Sequence, residues 1–459
     1  MLGAVASFIL KCESESAGGG IPSAVAAVRG ILTLRPIRSF AATFVSSMLT
    51  YLSGIPLGTE GPCVQLGCDV GCTASRIMGK HTSPFKRYAM TGGACAGFAA
   101  ATGAPITAFI FAIEEVHKKF RPAVIVTSTV SVAFAIVSHN LLCRLTGHGV
   151  SLFPGINILP ETVPDFKLSL IVGAVCGLCA VLFTVFHAYT GKLMKKLPDV
   201  PLAVKLSVVF ALCVGVGCLS ANFTGTGHHL TEELLTHSAP FLPLTVILIV
   251  RWTLLIIANN AGVTGGTFIP NLTFGAVIGM LCASVLCSLG FIGADLVPLT
   301  VALGMCAYLG AVSKTPLMAI FFGIEALGGF RVSPSIILAC IIAYYVMHAF
   351  NVKEFVDVAI EAKAEKYTHY KEAEEYFAVI TVPKGSFAFG MGERDLLLPY
   401  GCTVTSVEKG KTIKIHVTCV TGDKDRVELE LSELFGTEIK LENTEKEEKH
   451  HGTEKQSNI

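Results

Sequence analysis

Long stretches of this chain run without a single Asp, Glu, Lys or Arg, among them Pro122 to Cys143, Trp252 to Ala294, Leu296 to Ser313 and Val332 to Val352. At about 1.5 Å per helical residue, each covers much or all of a bilayer's hydrocarbon core. Together with 52% hydrophobic and only 15% charged residues, they predict a multi-pass protein of the lipid bilayer, with the cell membrane as its expected location. The net charge of +1 offers nothing to a nucleic acid. Many of the apolar runs are interrupted by Gly or Pro. In lipid, such breaks survive only where the freed backbone groups are buried in protein or line a cavity, which points to a transporter or channel. The sixteen cysteines sit mostly inside apolar runs. Cys176 and Cys179 form one C-x-x-C without a second pair or a histidine partner, so they read as small buried hydrophobes and no metal or other cofactor is expected.

The most chemically pointed stretch is Gly58 to Gly71, where Glu60 stands in a glycine-rich turn between hydrophobic segments and Pro62 follows it. Proline suits a first helical turn, and glycine lets backbone approach a ligand closely. The new helix therefore aims unpaired N–H groups and a positive dipole end at whatever lies before it. A carboxylate at membrane depth is costly unless paired, solvated or in use. The physical reading is a small-anion site that Glu60 can occupy or vacate.

The second half repeats the first. Laying Gly93–Glu115 on Gly304–Ala326 without gaps pairs Gly93/Gly304, Cys95/Cys306, Ala96/Ala307, Pro105/Pro316, Phe111/Phe322 and Glu114/Glu325. At nearly the same offset, Pro62, Gly67 and Gly71 recur as Pro270, Gly275 and Gly279. Paired glycines, prolines and a membrane glutamate at two nearly equal offsets predict a duplicated architecture, common among transporters.

Along the rest of the chain, Ser23 to Arg29 reads as a short helix, and Ala104 to Val116 as a helix ending in Glu114 and Glu115. Lys118, Lys119 and Arg121 just beyond mark a cytoplasmic end. Past Val352 the pattern changes: charge at helical spacing to Lys366, a linker over 367–375, and a small domain over 376–441. That domain has strand-like alternation at Phe377–Val382, Thr403–Val407 and Thr412–Cys419. Residues 442–459, crowded with Lys and Glu, read as a disordered tail.

Three signatures resemble the CLC family of chloride channels and chloride/proton antiporters: Gly18-Gly19-Gly20-Ile21-Pro22, Gly58-Thr59-Glu60-Gly61-Pro62 and Gly266-Thr267-Phe268-Ile269-Pro270. The resemblance covers residues 1–366. It implies an all-α, inverted-repeat membrane fold with broken helices, followed here by a small α+β cytosolic domain. It also implies a homodimer whose subunits each hold a pore for chloride, with protons as the second partner. By resemblance, Glu60 is the gating glutamate and Glu115 the internal proton glutamate; the anion site falls on Gly19, Gly20, Ile21, Gly61, Thr267, Phe268 and Val356. A solvated helix end beside Lys118 is the plainer reading of Glu115, and helix packing that of Glu114 and Glu325.

Two departures stand out. The family's serine in the first signature is Gly19, and its tyrosine donor falls on Val356, so the backbone amides remain while two side-chain donors are gone. The expectation is weak chloride binding and imperfect coupling. The family also has one long helix and most of another before the first signature, so the first helices are expected to be missing here. The small domain weakly resembles a TrkA C-terminal (RCK-type) ligand-binding fold in Val382-Pro383-Lys384-Gly385-Ser386 and Leu398-Pro399, and at about 65 residues it is too short for a pair of CBS modules. A small ligand there, or a plain dimer-stabilising cap, are both open. Three function classes follow: a proton-coupled antiporter, a passive voltage- or pH-gated chloride channel and, remotely, an intramembrane enzyme. The last lacks an H-E-x-x-H or G-x-S-x-G, so the chain is read as no enzyme.

Overall fold

The computed structural model describes residues 1–79, 83–147, 152–153, 166–196, 200–328, 330–367, 373–384, 386, 388–389, 396–409 and 413–443. Its first half runs α1 (Leu2–Cys12), α2 (Ile21–Val28), α3 (Pro36–Leu52), α4 (Glu60–Ile77), α5 (Ser83–Thr102), α6 (Pro105–Phe111) and α7 (Pro122–Thr146). Between α6 and α7 the chain makes a π-helical turn, Ala112–Val116. The second half runs α8 (Phe166–Lys196), α9 (Leu202–Gly217), α10 (His228–Thr236), α11 (Phe241–Asn260), α12 (Phe268–Ser288), α13 (Val297–Val312), α14 (Pro316–Ala326), α15 (Ser333–Ala349) and α16 (Phe355–Tyr367). Among the described residues, five helical segments are long and apolar enough to span a membrane: Pro122–Thr146, Phe166–Met194, Phe241–Asn260, Phe268–Ser288 and Ala294–Val312.

The repeat is built from backbone contact. A Cβ on Gly67 of α4 would lie 2.1 Å from the Gly93 carbonyl oxygen of α5, and one on Gly93 2.1 Å from that of Gly67. In the second half Gly275 of α12 and Gly304 of α13 stand in the same reciprocal relation at 2.4 Å. The glycines that carried the sequence repeat are thus the points where each helix pair closes to carbonyl contact, the packing that small residues permit in lipid.

The halves also cap one another. Glu325, at the end of α14, accepts from the N–H groups of Ile106 and Thr107 at 2.7 Å each and from Thr107 Oγ1 at 2.6 Å. Glu114 accepts from Leu317 N–H at 3.1 Å and Met318 N–H at 2.8 Å. Each carboxylate satisfies the unpaired first-turn amides of the other half's helix and complements its dipole. The packing role expected of these two residues is therefore a specific one.

Residues 374–443 form a four-stranded antiparallel sheet in the order β2-β3-β1-β4, from β1 (Glu374–Val382), β2 (Cys402–Lys409), β3 (Ile413–Thr421) and β4 (Glu442–Asn443). Helix α17 (Lys424–Phe435) covers one face, burying Val427, Leu431, Leu434 and Phe435 against Ile380, Ile415 and Val417. Two boundaries differ from expectation. β1 starts at Glu374, within the expected linker, and Glu442–Asn443, assigned to the tail, pairs with Phe377 and Tyr376. Pairing with an open sheet edge outweighs the local charge there. Residues 444–459 of the tail, like Gly385 and Gly410 to Thr412, lie outside the described residues.

The small domain is anchored through two basic residues of the membrane body. Arg87, 4% exposed, donates to the carbonyls of Leu397 (3.0 Å) and Leu398 (2.8 Å) and pairs with Glu430; Arg121 donates to Leu396 O at 2.6 Å. A guanidinium so buried is tolerable because carboxylate and carbonyls together meet its donors. Arg121, one of the charges that marked a cytoplasmic end in the sequence, also holds a domain.

Candidate functional site: an amide cradle between two carboxylates

All three glycine signatures meet at one point. Gly58 and Gly266 exchange both backbone hydrogen bonds, N–H to O at 2.7 Å in each direction, and Gly265 N–H donates to Gly18 O at 3.2 Å. A Cβ on Gly61 would stand 2.1 Å from Gly19 O, and one on Gly20, whose φ is +72°, 2.2 Å from Gly61 O. No side chain fits at either position. Gly19 itself is less constrained, with Pro22 Cδ at 3.3 Å as the nearest atom to an added Cβ. This close approach brings the starts of α2, α4 and α12 together, where first-turn amides lack helical partners.

Glu60 sits within that ring of amides and is 2% exposed. A Cβ on Gly58 would meet the Glu60 Oε2 and the Pro270 ring. Thr59 Oγ1 lies 3.4 Å from Oε1, and Oε2 has no partner. The side chain thus packs against the start of α12, beside Gly58 and Pro270. The carboxylate also lines an outer vestibule of about 560 Å³, shared with Tyr51, Thr59, Thr226, His228 and His229. Ile21 differs from expectation. Its N–H donates to Gly19 O at 2.8 Å, so this amide is already spent within its own turn.

Glu115 lies in the π-helical turn, 3% exposed, and neither of its carboxylate oxygens has a donor. Arg29 closes the turn by donating to the Glu115 and Val116 carbonyls, both at 3.1 Å. π-turns of this kind cluster at functional sites. What the Glu115 side chain faces is a second buried carboxyl, Glu354, which the sequence reading missed. Lys118 Nζ bridges Glu354 Oε2 at 2.8 Å and Asp357 Oδ2 at 2.6 Å, while Glu354 Oε1 is unpartnered. Glu354 and Asp357 line an inner vestibule of about 570 Å³ with Glu114, Lys118 and Lys314; Glu115 does not reach it. The plain alternative for Glu115, a solvated helix end, does not hold.

Between the carboxylates runs a chain of phenylalanines from both halves. Phe268, next to the Ile269 amide, meets Phe98 at 5.1 Å and Phe322 at 5.2 Å; Phe98 stacks on Phe111 at 5.0 Å. Val356 is 8% exposed and lines a small cavity with Thr267, Asn271 and Ser313. Nothing in the sequence around Asn271 or Glu354 marks them out. No group of His, Cys, Asp and Glu with metal-binding geometry occurs among the described residues.

The family model of the voltage gated chloride channel matches residues 2–348. The H(+)/Cl(-) exchange transporter ClcA of Klebsiella pneumoniae (strain 342) is 25% identical over 352 residues, covering 74% of this chain and 73% of that protein. Among solved structures, a slow cyanobacterial Cl-/H+ antiporter superposes with a TM-score of 0.72 at 22% identity, over 80% of this chain and 85% of that one. A eukaryotic CLC transporter gives 0.65 at 18% identity over 81% and 66%, and a CLC-type fluoride/proton antiporter 0.63 at 21% over 76% and 84%. The small C-terminal domain lies beyond the matched range, so its likeness to an RCK-type fold gains no support there. With the family model spanning most of its length and the cradle of glycine signatures at its centre, the chain belongs to the voltage gated chloride channel family and is a multi-pass membrane protein.

Proposed function

We propose that this protein exchanges chloride, or a similar small anion, for protons across the membrane, with imperfect coupling. The observation that carries this reading is Glu60, a buried carboxylate at the point where the three glycine signatures and the starts of α2, α4 and α12 meet. Protonating Glu60 removes its charge, weakens its hold on the amides and lets an anion in. One group thereby links proton and anion. Glu115 supplies the inner end of a proton route, and Glu354 connects it to the inner vestibule. The exchange activities named for the Klebsiella and cyanobacterial relatives support the same reading.

Imperfect coupling follows from Val356. Its side chain is short and donates nothing, so an anion can slip inward while Glu60 is displaced but not yet protonated. The second reading, a passive channel gated by voltage or pH, rests on that same residue. Reversal potentials of reconstituted vesicles under opposed chloride and pH gradients separate the two. Exchange gives a potential that moves with pH, with an anion-to-proton ratio lowered by Val356→Tyr; a potential indifferent to pH makes the protein a channel.

We take residues 1–366 as the transport domain and 376–441 as a cytosolic regulatory cap that takes a small ligand or steadies a dimer. A homodimer is the assembly we favour, through the exposed apolar faces of α7 and α15, including Val130, Phe134, Ile341 and Tyr345.

A further inference from the structure

We propose that Arg29 is the positioning residue of Glu115, holding the π-helical turn that aims this carboxyl at Glu354. The inference rests on the proton-exchange reading above. The turn Ala112–Val116 is wound one residue wider than an α-helix: His117 N–H reaches back five positions to Ala112 O at 3.2 Å, and Lys118 then breaks the winding at a φ of +50°. A helix that stops in this way leaves its last carbonyls without intrahelical donors. Glu115 and Val116 are 3% and 1% exposed, so water is no ready substitute for a protein donor.

Arg29 meets that need from another helix. It stands at the end of α2, where Gly30 at a φ of +77° stops the winding, and its Nη2 and Nε donate to the Glu115 and Val116 carbonyls at 3.1 Å each. One edge of a planar guanidinium thereby ties two successive carbonyls, a geometry that the point-like ammonium of a lysine does not reproduce. The remaining nitrogen, Nη1, lies 3.9 Å from Asp357 Oδ1, so Arg29 and Lys118 share that carboxylate of α16. The charged groups that act most on the Glu115 carboxyl are Glu354, Lys118 and Asp357. Arg29 acts on it through the backbone instead. Without this clamp, relaxation to ordinary α-helical winding would turn the Glu115 side chain by about 100° around the axis, off the line to Glu354.

The test is proton and chloride flux in vesicles reconstituted with the full chain. Arg29→Gln should lower proton flux about tenfold, the scale of loss from a misplaced reacting group, with chloride flux within about twofold of the parent's, so that the anion-to-proton ratio rises. Arg29→Lys keeps the charge but loses the fork; it should give an intermediate ratio, and it carries the test should Arg29→Gln not fold. A residue that only stabilised the fold would lower both fluxes together and leave the ratio alone. A parent-like ratio in the folded variants, whether both fluxes persist or both fall in parallel, would overturn the inference. Glu115→Gln is measured alongside: proton flux equal to the parent's there would overturn the proton role of Glu115 itself, a failure visible apart from anything at Arg29.

Discussion

The two halves of the membrane domain share a frame but not a chemistry. Gly58-Thr59-Glu60-Gly61-Pro62 and Gly266-Thr267-Phe268-Ile269-Pro270 open equivalent helices, hydrogen-bonded to each other at Gly58 and Gly266. Where the first half places Glu60, the second places Phe268; where the first places Glu115, the second places Ala326. Both proton-carrying candidates of the repeat therefore sit in one half. The other contributes amides and phenyl rings. Backbone geometry was retained on both sides, because helix starts and close packing are needed twice, whereas a proton route through a membrane is needed once.

The harshest way to probe the shared frame is at its glycines. Gly67→Ala and Gly275→Ala should both prevent recovery of folded protein, since each Cβ meets a carbonyl oxygen at 2.1 or 2.4 Å. Size-exclusion profiles after detergent extraction report this, and a folded, active Gly275→Ala protein would break the equivalence of the halves. Next in size is Glu60→Gln. Anion-driven proton uptake should fall to background while anion flux persists, because an uncharged side chain imitates the protonated, vacated gate. Proton uptake equal to that of the parent would remove Glu60 from the mechanism.

A more moderate effect is expected from Glu354→Gln, which should slow proton flux several-fold with anion flux maintained. Lys118→Gln, which breaks the same ion pairs, should leave the proton-to-anion ratio nearer that of the parent. If both substitutions shift the ratio alike, Glu354 serves only the salt-bridge network. Smallest are the matched caps: Glu114→Gln and Glu325→Gln should each cost about 1.5–3 kcal/mol in stability, the range for hydrogen bonds to a charged group. Similar shifts in melting temperature sharpen the likeness of the halves; a shift in only one of them would show that the caps are unequal.

The frame was legible in the sequence because it depends on residue types at fixed local spacing. Gly67, Gly71 and Pro62 announce a helix start and a close helix pair wherever they recur, and Glu60 is conspicuous because a lone carboxylate in an apolar setting demands a reason. What escaped the sequence reading depends on distant parts of the chain converging. Lys118 and Glu354 are 236 positions apart, and Arg87 reaches carbonyls more than 300 positions away. An asparagine in an apolar helix is unremarkable until a valine 85 positions later is seen to leave a void beside it. Ile21 shows the reverse error: the right signature at the right place, with its amide turned back onto Gly19.

The crossed caps of Glu114 and Glu325 bear on how such a chain could have begun. Among the described residues, each half carries a carboxylate that accepts from the other half's helix start, Glu114 from Leu317 and Met318 and Glu325 from Ile106 and Thr107. A lone half would therefore enter the bilayer with two unmet electrostatic needs, and a second copy, turned end for end, meets both at once. Fusing the copies into one polypeptide adds no new contact at this seam. It removes the requirement that two separate chains find each other, and it frees one copy to lose the acids that the other retains.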